Sequence, residues 1–238
     1  MIQQLPLHLQ LDEPAAFEQF YPGSNEQALS ALQAMVQAGQ CADSAEQLLF
    51  LFGAPEGGKS HLLQTAVKET VGNGRSGFYL PLKMANQFDA SMLQDLADID
   101  FLCIDDVSEV AGDSHWEKGL FELFNRRRAS DKALVFADRS APSLLPIELA
   151  DLRSRLSWGL SLAVQSLSDD EKQLLLIKRA DSRGIELPAD VASYLFRHLP
   201  RSLSAQLSWL DRFDLASLAA TRNRLTVPFV KQVLAQHL

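Results

Sequence analysis

Short, uninterrupted apolar runs alternate with helix-period stretches along the first two thirds of the sequence. The runs fall at 48–52, 78–82, 101–104, 133–137 and 160–164. Between them, apolar residues recur at three- and four-residue spacing, centred on 62–71, 92–97, 116–128 and 147–156. A strand buried on both faces reads as a continuous apolar run, so this texture predicts an α/β domain whose parallel sheet is flanked by helices. Upstream, Ala28, Leu29, Leu32 and Val36 share one face of a helix predicted over 25–38. Residues 1–12 alternate apolar and polar around Pro6, which predicts an edge strand or an unpaired arm. After Ser166 the strand signals stop. Ser168-Asp-Asp-Glu171 has capping-box spacing, and helices are predicted over 169–183, 189–198, 202–219 and 228–237. The expected organisation is an extended arm over 1–14, a five-stranded α/β domain over 15–166 and a small all-helical domain over 167–238.

Composition narrows the function. A net charge of −8 and a pI near 5.1 argue against a chain whose main task is gripping nucleic acid. The densest basic cluster, Arg126-Arg127-Arg128, is either a solvated helix end or a local binding patch. No stretch approaches the length of about eighteen apolar residues needed to span a membrane. The first residues lack the basic-then-apolar order of a secretory leader. The two cysteines are Cys41 and Cys103, the latter inside an apolar run. A disulfide is therefore not expected, and a cytoplasmic location is.

The chemistry concentrates where elements meet. Gly53-Ala-Pro-Glu-Gly-Gly-Lys-Ser60 is a complete G-x-x-x-x-G-K-S pattern between an apolar run and a helix. Gly53, Pro55, Glu56, Gly57 and Gly58 would wrap phosphate with backbone N–H groups at a helix N-terminus. Lys59 would reach the outer phosphates and the Ser60 hydroxyl would ligate Mg²⁺. Phe101-Leu-Cys-Ile-Asp-Asp106 is an apolar strand ending in two carboxylates, with Asp105 suited to hold Mg²⁺ through water and Asp106 to activate water. Asp138-Arg139 ends the fourth run and is either a γ-phosphate sensor or a plain turn. In Asp151-Leu-Arg-Ser-Arg-Leu156, Arg153 and Arg155 either reach a neighbouring subunit's nucleotide or form internal ion pairs. Arg201 stands at a helix start, where a cation opposes the helix dipole, and is either a ligand contact or an ordinary helix-end residue. Gln4-Leu-Pro-Leu-His-Leu9 is either an edge strand or a segment that lays leucines into an apolar groove.

In this order, these segments resemble the AAA+ ATPases, in the branch of the replication initiator DnaA. Gly53 to Ser60 with His61-Leu-Leu is similar to the Walker A segment, and Ile104-Asp-Asp-Val107 to Walker B. Asp138-Arg139 is similar to the sensor 1 strand end, and Ser154-Arg-Leu-Ser-Trp-Gly159 to the arginine-finger segment. Phe17-Glu-Gln-Phe-Tyr-Pro-Gly-Ser24 is similar to the segment that lines the base pocket, which implies nucleotide contacts for Tyr21 and Pro22. The resemblance makes Arg201 the sensor 2 arginine of a helical lid. It implies bound ADP or ATP with Mg²⁺, Arg155 as the trans-acting finger and Arg153 as second choice.

No counterpart of the initiator's helix-turn-helix domain follows the predicted lid helices, and none of its helicase-interaction domain precedes the ATPase segments. The arm instead resembles the motif that docks on the polymerase III sliding clamp (β subunit), through Gln4, Leu5, Leu7 and Leu9. His8-Leu9 stands where phenylalanine is common. This combination resembles the negative regulators of replication initiation in the DnaA branch. It implies a nucleotide-bound adaptor on the DNA-loaded clamp that stimulates hydrolysis of DnaA-bound ATP, leaving an ADP form that cannot refire. DNA would be reached mainly through the clamp, a homo-oligomer is compatible, and the chain's own site need not turn over. The alternatives are a self-contained ATPase such as a helicase loader, or a DNA-binding initiator paralogue.

Overall fold

In the computed structural model, which describes residues 17, 20–38 and 47–237, five parallel strands form one sheet. These are β1 (Leu48–Phe52), β2 (Gly77–Pro81), β3 (Phe101–Asp105), β4 (Ala133–Asp138) and β5 (Leu160–Ala163), in the order β2-β3-β4-β1-β5. The clamp-motif residues Gln4, Leu5, Leu7 and Leu9, and Cys41, lie outside the described residues.

Alternation along each strand explains the continuous apolar runs. Leu48, Phe50, Leu102, Ile104, Leu134 and Phe136 pack to one side, against Trp116, Leu120 and Phe124 of helix α3 (Ser114–Ala129). Leu49, Leu51, Phe101, Cys103, Val135 and Ala137 pack to the other, against α1 (Glu26–Ala38) and α2 (Lys59–Gly72). Both faces of the inner strands are apolar because both are covered. Coverage lapses at β5, an edge strand with Leu160 49% exposed.

The stretch predicted as helical around 92–97 forms a 3₁₀-helix, Ala90–Asp98, with Ala90, Leu93 and Leu96 buried. Their strict three-residue spacing fits three residues per turn better than 3.6.

The Arg126–128 cluster is neither a solvated helix end nor a binding patch throughout. Arg127 is fully buried. Its Nη1 donates to the carbonyls of Leu96 (3.0 Å), Ala97 (3.3 Å) and Ile99 (2.8 Å), and its Nη2 to that of Ala133. Burial pulls the guanidinium down to about 10, so it stays charged at neutral pH. It ties the end of the 3₁₀-helix to the start of β4. Arg127→Met is expected to cost about 3 kcal/mol by removing the guanidinium donors from those buried carbonyls. A shift of the urea midpoint at unchanged m-value checks this.

The chain divides into two compact units, Met1–Ser166 and Leu167–Leu238. The second is helical: α5 (Asp169–Asp181), α6 (Ala189–His198), α7 (Leu203–Ala219) and α8 (Val227–His237), around a core that includes Leu176, Leu195, Leu210, Phe213 and Val230. The capping box forms, with Ser168 Oγ accepting from Glu171 N and Glu171 Oε2 accepting from Ser168 N. One parallel bridge, Glu186 to Arg224, joins the turn after α5 to the turn before α8.

Candidate functional site

Parallel strands deliver their C-terminal ends to one side of the sheet, and the candidate residues gather there. The loop after β1 runs from Gly53 to Gly58 and enters α2 at Lys59. Gly58 caps the helix at φ 89° and lies against Phe20, whose ring an added Cβ would meet at 2.9 Å. The Phe20 ring also stacks on His61 at 6.0 Å. Lys59 is buried, and its Nζ donates back to the carbonyls of Gly53 (2.6 Å) and Ala54 (3.0 Å). Burial pulls this ammonium down against the raising influence of Asp105, Asp106 and Asp138.

At the end of β3, Asp105 Oδ2 accepts from Ser60 Oγ at 2.5 Å and from the Tyr79 hydroxyl at 2.8 Å, while Oδ1 accepts from Asp106 N. Burial pushes the Asp105 carboxyl up, and these hydrogen bonds oppose the rise. Burial beside that carboxylate also raises the Tyr79 phenol, which stays a donor. Asp106 takes a left-handed backbone conformation and pairs with Lys83 Nζ at 2.9 Å. Asp138, at the end of β4, accepts from the backbone N–H groups of Ser108, Arg139 and Ser140. Its carboxylate ties the turn after β4 to the segment that follows β3.

These groups surround a cavity of about 230 Å³ lined by the loop from Pro55 to His61, by Asp105 and Asp106, and by Lys83 and Arg139. The lining fits a polyphosphate: glycine backbone, a helix N-terminus and three cations, Lys59, Lys83 and Arg139. Ser60 and Asp105 supply adjacent hard oxygens. Among the described residues no cluster of three His, Cys, Asp or Glu forms a cage for a metal. That donor set suits Mg²⁺ that takes its other ligands from phosphate and water.

The remaining candidates lie elsewhere. Tyr21 and Pro22 are half-buried beside Phe20 but do not line this cavity. Asn25 fixes their segment, exchanging hydrogen bonds with the backbone of Gln165. Arg201 belongs to the helical unit and pairs with Asp169 at 3.1 Å. Arg153 and Arg155 sit on α4 (Ala150–Leu156), outside the cavity. Arg155 reaches over the Trp158 ring at 5.6 Å, and Arg128 covers the same ring at 3.5 Å. The start of α4 is held by Glu117 of α3, whose carboxylate accepts from the N–H groups of Gly112, Glu148 and Leu149. Burial pushes that carboxyl up, but the three backbone donors outweigh it and leave it below the usual range.

Sequence reasoning missed Lys83 and Tyr79. Both belong to β2 or its exit, and only the pairing of β2 with β3 brings them to Asp105 and Asp106. Among the described residues no helix is long and apolar enough to cross a membrane.

Comparison with known proteins agrees with this geometry. The profile of the bacterial DnaA ATPase domain matches residues 11–163, and that of the Hda lid domain matches residues 169–234. An uncharacterised protein of Haemophilus influenzae is 37% identical over 236 residues, covering 98% of this chain and 99% of its own length. Domain III of the Thermotoga maritima replication initiation protein DnaA is similar with a TM-score of 0.72 at 22% identity, covering 93% of this chain and 96% of that one. Replication initiator DnaA bound to AMPPCP and single-stranded DNA is similar with a TM-score of 0.68 at 21% identity, covering 83% of this chain. The chain spans 63% of the length of that initiator.

Proposed function

The chain belongs to the bacterial DnaA ATPase family and carries an Hda lid domain, and on that footing we propose that it is a nucleotide-holding negative regulator of replication initiation. It docks on the DNA-loaded sliding clamp through Gln4, Leu5, Leu7 and Leu9, meets ATP-bound DnaA, and presents Arg155 to the ATP held by that partner. The hydrolysis it stimulates leaves DnaA in its ADP form. In the chain's own site, Lys59 and the loop from Gly53 to His61 hold the phosphates of ADP or ATP, Ser60 and Asp105 hold Mg²⁺, and Arg139 and Lys83 line the outer end. Tyr21 and Pro22 border the base, and Arg201 is the arginine the lid contributes.

One observation carries this reading. The loop after β1 lines a cavity whose chemistry suits phosphate, and the arginine-bearing helix α4 does not line that cavity. An arginine finger acts on a nucleotide bound by another subunit, where it stabilises charge in the transition state and adds about 10³–10⁵ to turnover.

The test is the turnover of ATP by DnaA on clamp-loaded DNA, with and without this protein. Stimulation that needs both clamp and DNA is expected. Brisk ATP hydrolysis by the purified chain alone, with no effect on DnaA, would replace this reading with a self-contained ATPase. Tight, salt-sensitive DNA binding without the clamp would point to an initiator paralogue. Deleting residues 1–9 is expected to abolish clamp association while ADP binding persists, as read by clamp pull-down and by titration with a fluorescent ADP. Clamp binding that survives the deletion removes the arm assignment.

A further inference from the structure

We propose that Trp158 is a positioning residue for the finger, its ring restraining the Arg155 guanidinium so that it meets a partner's nucleotide already close to its working conformation. The proposal rests on the arginine-finger reading of Arg155.

A long, flexible arginine loses conformational freedom when it engages a phosphate, and that loss is subtracted from what it stabilises there. A side chain ordered beforehand avoids much of it. The usual restraint on a surface arginine is a carboxylate, which also neutralises its charge. Arg155 takes part in none of the ion pairs formed among the described residues. An aromatic face holds it instead: its guanidinium carbon lies 5.6 Å from the centroid of the Trp158 ring. That is near the outer limit of about 6 Å for a cation–π contact. A ring orders the guanidinium and leaves its charge uncompensated. So loose a contact is readily exchanged for the stronger, bidentate hydrogen bonds that phosphate offers.

The ring can serve as a seat because the fold fixes it. Trp158 N donates to Arg155 O at 3.0 Å, so ring and finger leave the same closing turn of α4. The next residue, Gly159, has φ 89°, and an added Cβ there would stand 2.6 Å from the carbonyl oxygen of Leu48, so the chain turns directly against β1. From α3, the buried Phe124 meets the indole at a centroid distance of 6.3 Å. Arg128, also on α3, lies 3.5 Å from the ring centroid. The nearer arginine grips the ring and the farther one rests on it. The indole is still 38% exposed, so Arg155 can part from it without opening the core. Arg153 has no such aromatic seat among the described residues. That difference singles out Arg155 as the arginine held in readiness.

The experiment follows single-turnover hydrolysis of ATP preloaded on DnaA, with clamp-loaded DNA and increasing concentrations of the full-length chain. Trp158→Leu is expected to lower the maximal stimulated rate about three- to tenfold, the range that ordering one long side chain corresponds to. The half-saturating concentration of the chain stays unchanged. Trp158→Phe keeps a ring face and most of the rate. A second readout does not depend on hydrolysis: in the chain alone, the melting shifts of Trp158→Leu and Arg155→Ala are expected to be non-additive, because each removes the same contact. A raised half-saturating concentration at an unchanged maximal rate would make Trp158 a docking contact and overturn the proposal. Equal losses in Trp158→Leu and Trp158→Phe would reduce its role to packing and overturn it too, as would additive melting shifts. If Arg155→Ala itself keeps full stimulation, the finger reading fails and takes this proposal with it. Stimulation lost in Arg155→Ala but intact in Trp158→Leu overturns this proposal alone.

Discussion

Alanine at Arg155 is expected to abolish stimulation of the DnaA ATPase, a loss of about 10³-fold or more, while the protein stays folded and still binds the clamp. The fold has little stake in this side chain. Its guanidinium lies 5.6 Å above Trp158, a contact worth about 0.5–1 kcal/mol at a partly exposed site. The helix that carries it is anchored by other groups. Leu152 and Leu156 are buried, and Glu117 holds the N–H groups of Glu148 and Leu149. Lysine at 155 is not expected to rescue, because a compact ammonium does not reproduce a planar, forked donor set. Arg153→Ala is the internal control. Residues two apart on a helix do not face the same way, so only one of the two arginines can meet a given phosphate. Single-turnover hydrolysis of ATP preloaded on DnaA, with clamp-loaded DNA present, is the measurement. If Arg153→Ala lost stimulation and Arg155→Ala kept it, the finger would be Arg153.

The sheet was legible because burial on both faces leaves a mark in the chain. Leu48-Leu-Phe-Leu-Phe52 is apolar throughout since alternate residues enter two different cores. Local hydrogen-bond chemistry was legible for the same kind of reason, and Ser168 and Glu171 cap α5 as their spacing requires. What stayed hidden depends on partners distant in sequence. Strand order is not written in any one strand, so Lys83 and Tyr79 gave no sign that they face the carboxylates of β3. A run of three arginines does not say which of them turns inward. Arg127 is buried because the carbonyls of Leu96, Ala97, Ile99 and Ala133 need its donors, and that need is visible only in the folded chain. Arg201 read as a cation misplaced at a helix start, and in the structure the carboxylate of Asp169 meets it. Asp138 accepts from Arg139 and Ser140 of its own turn and from Ser108 beyond the neighbouring strand, a link that strand order alone creates.

Gly53→Ala is expected to be the most damaging single-methyl change in the α/β domain, costing about 2–6 kcal/mol from backbone strain and overpacking together. Two penalties coincide at this position. Its φ of 148° is a conformation L side chains rarely adopt, and an added Cβ would stand 2.1 Å from the carbonyl oxygen of Val164. Val164 cannot give way cheaply. Its N–H donates to Phe52 O at 2.6 Å, tying it to the strand from which Gly53 emerges. Moving either partner pulls on β1, and β1 sets the height of the loop that bears Lys59. Gly74→Ala separates the two penalties, since Gly74 also has a positive φ, 78°, but nothing within 4 Å of an added Cβ. That variant should lose only about 1–2 kcal/mol, the strain of a left-handed residue. Urea denaturation of both variants, followed by titration with fluorescent ADP, is the measurement. Gly53→Ala should show the larger loss of stability and lose ADP binding even where it remains folded. Equal losses in the two variants would mean that strain alone acts at Gly53 and that the contact with Val164 does not constrain the loop.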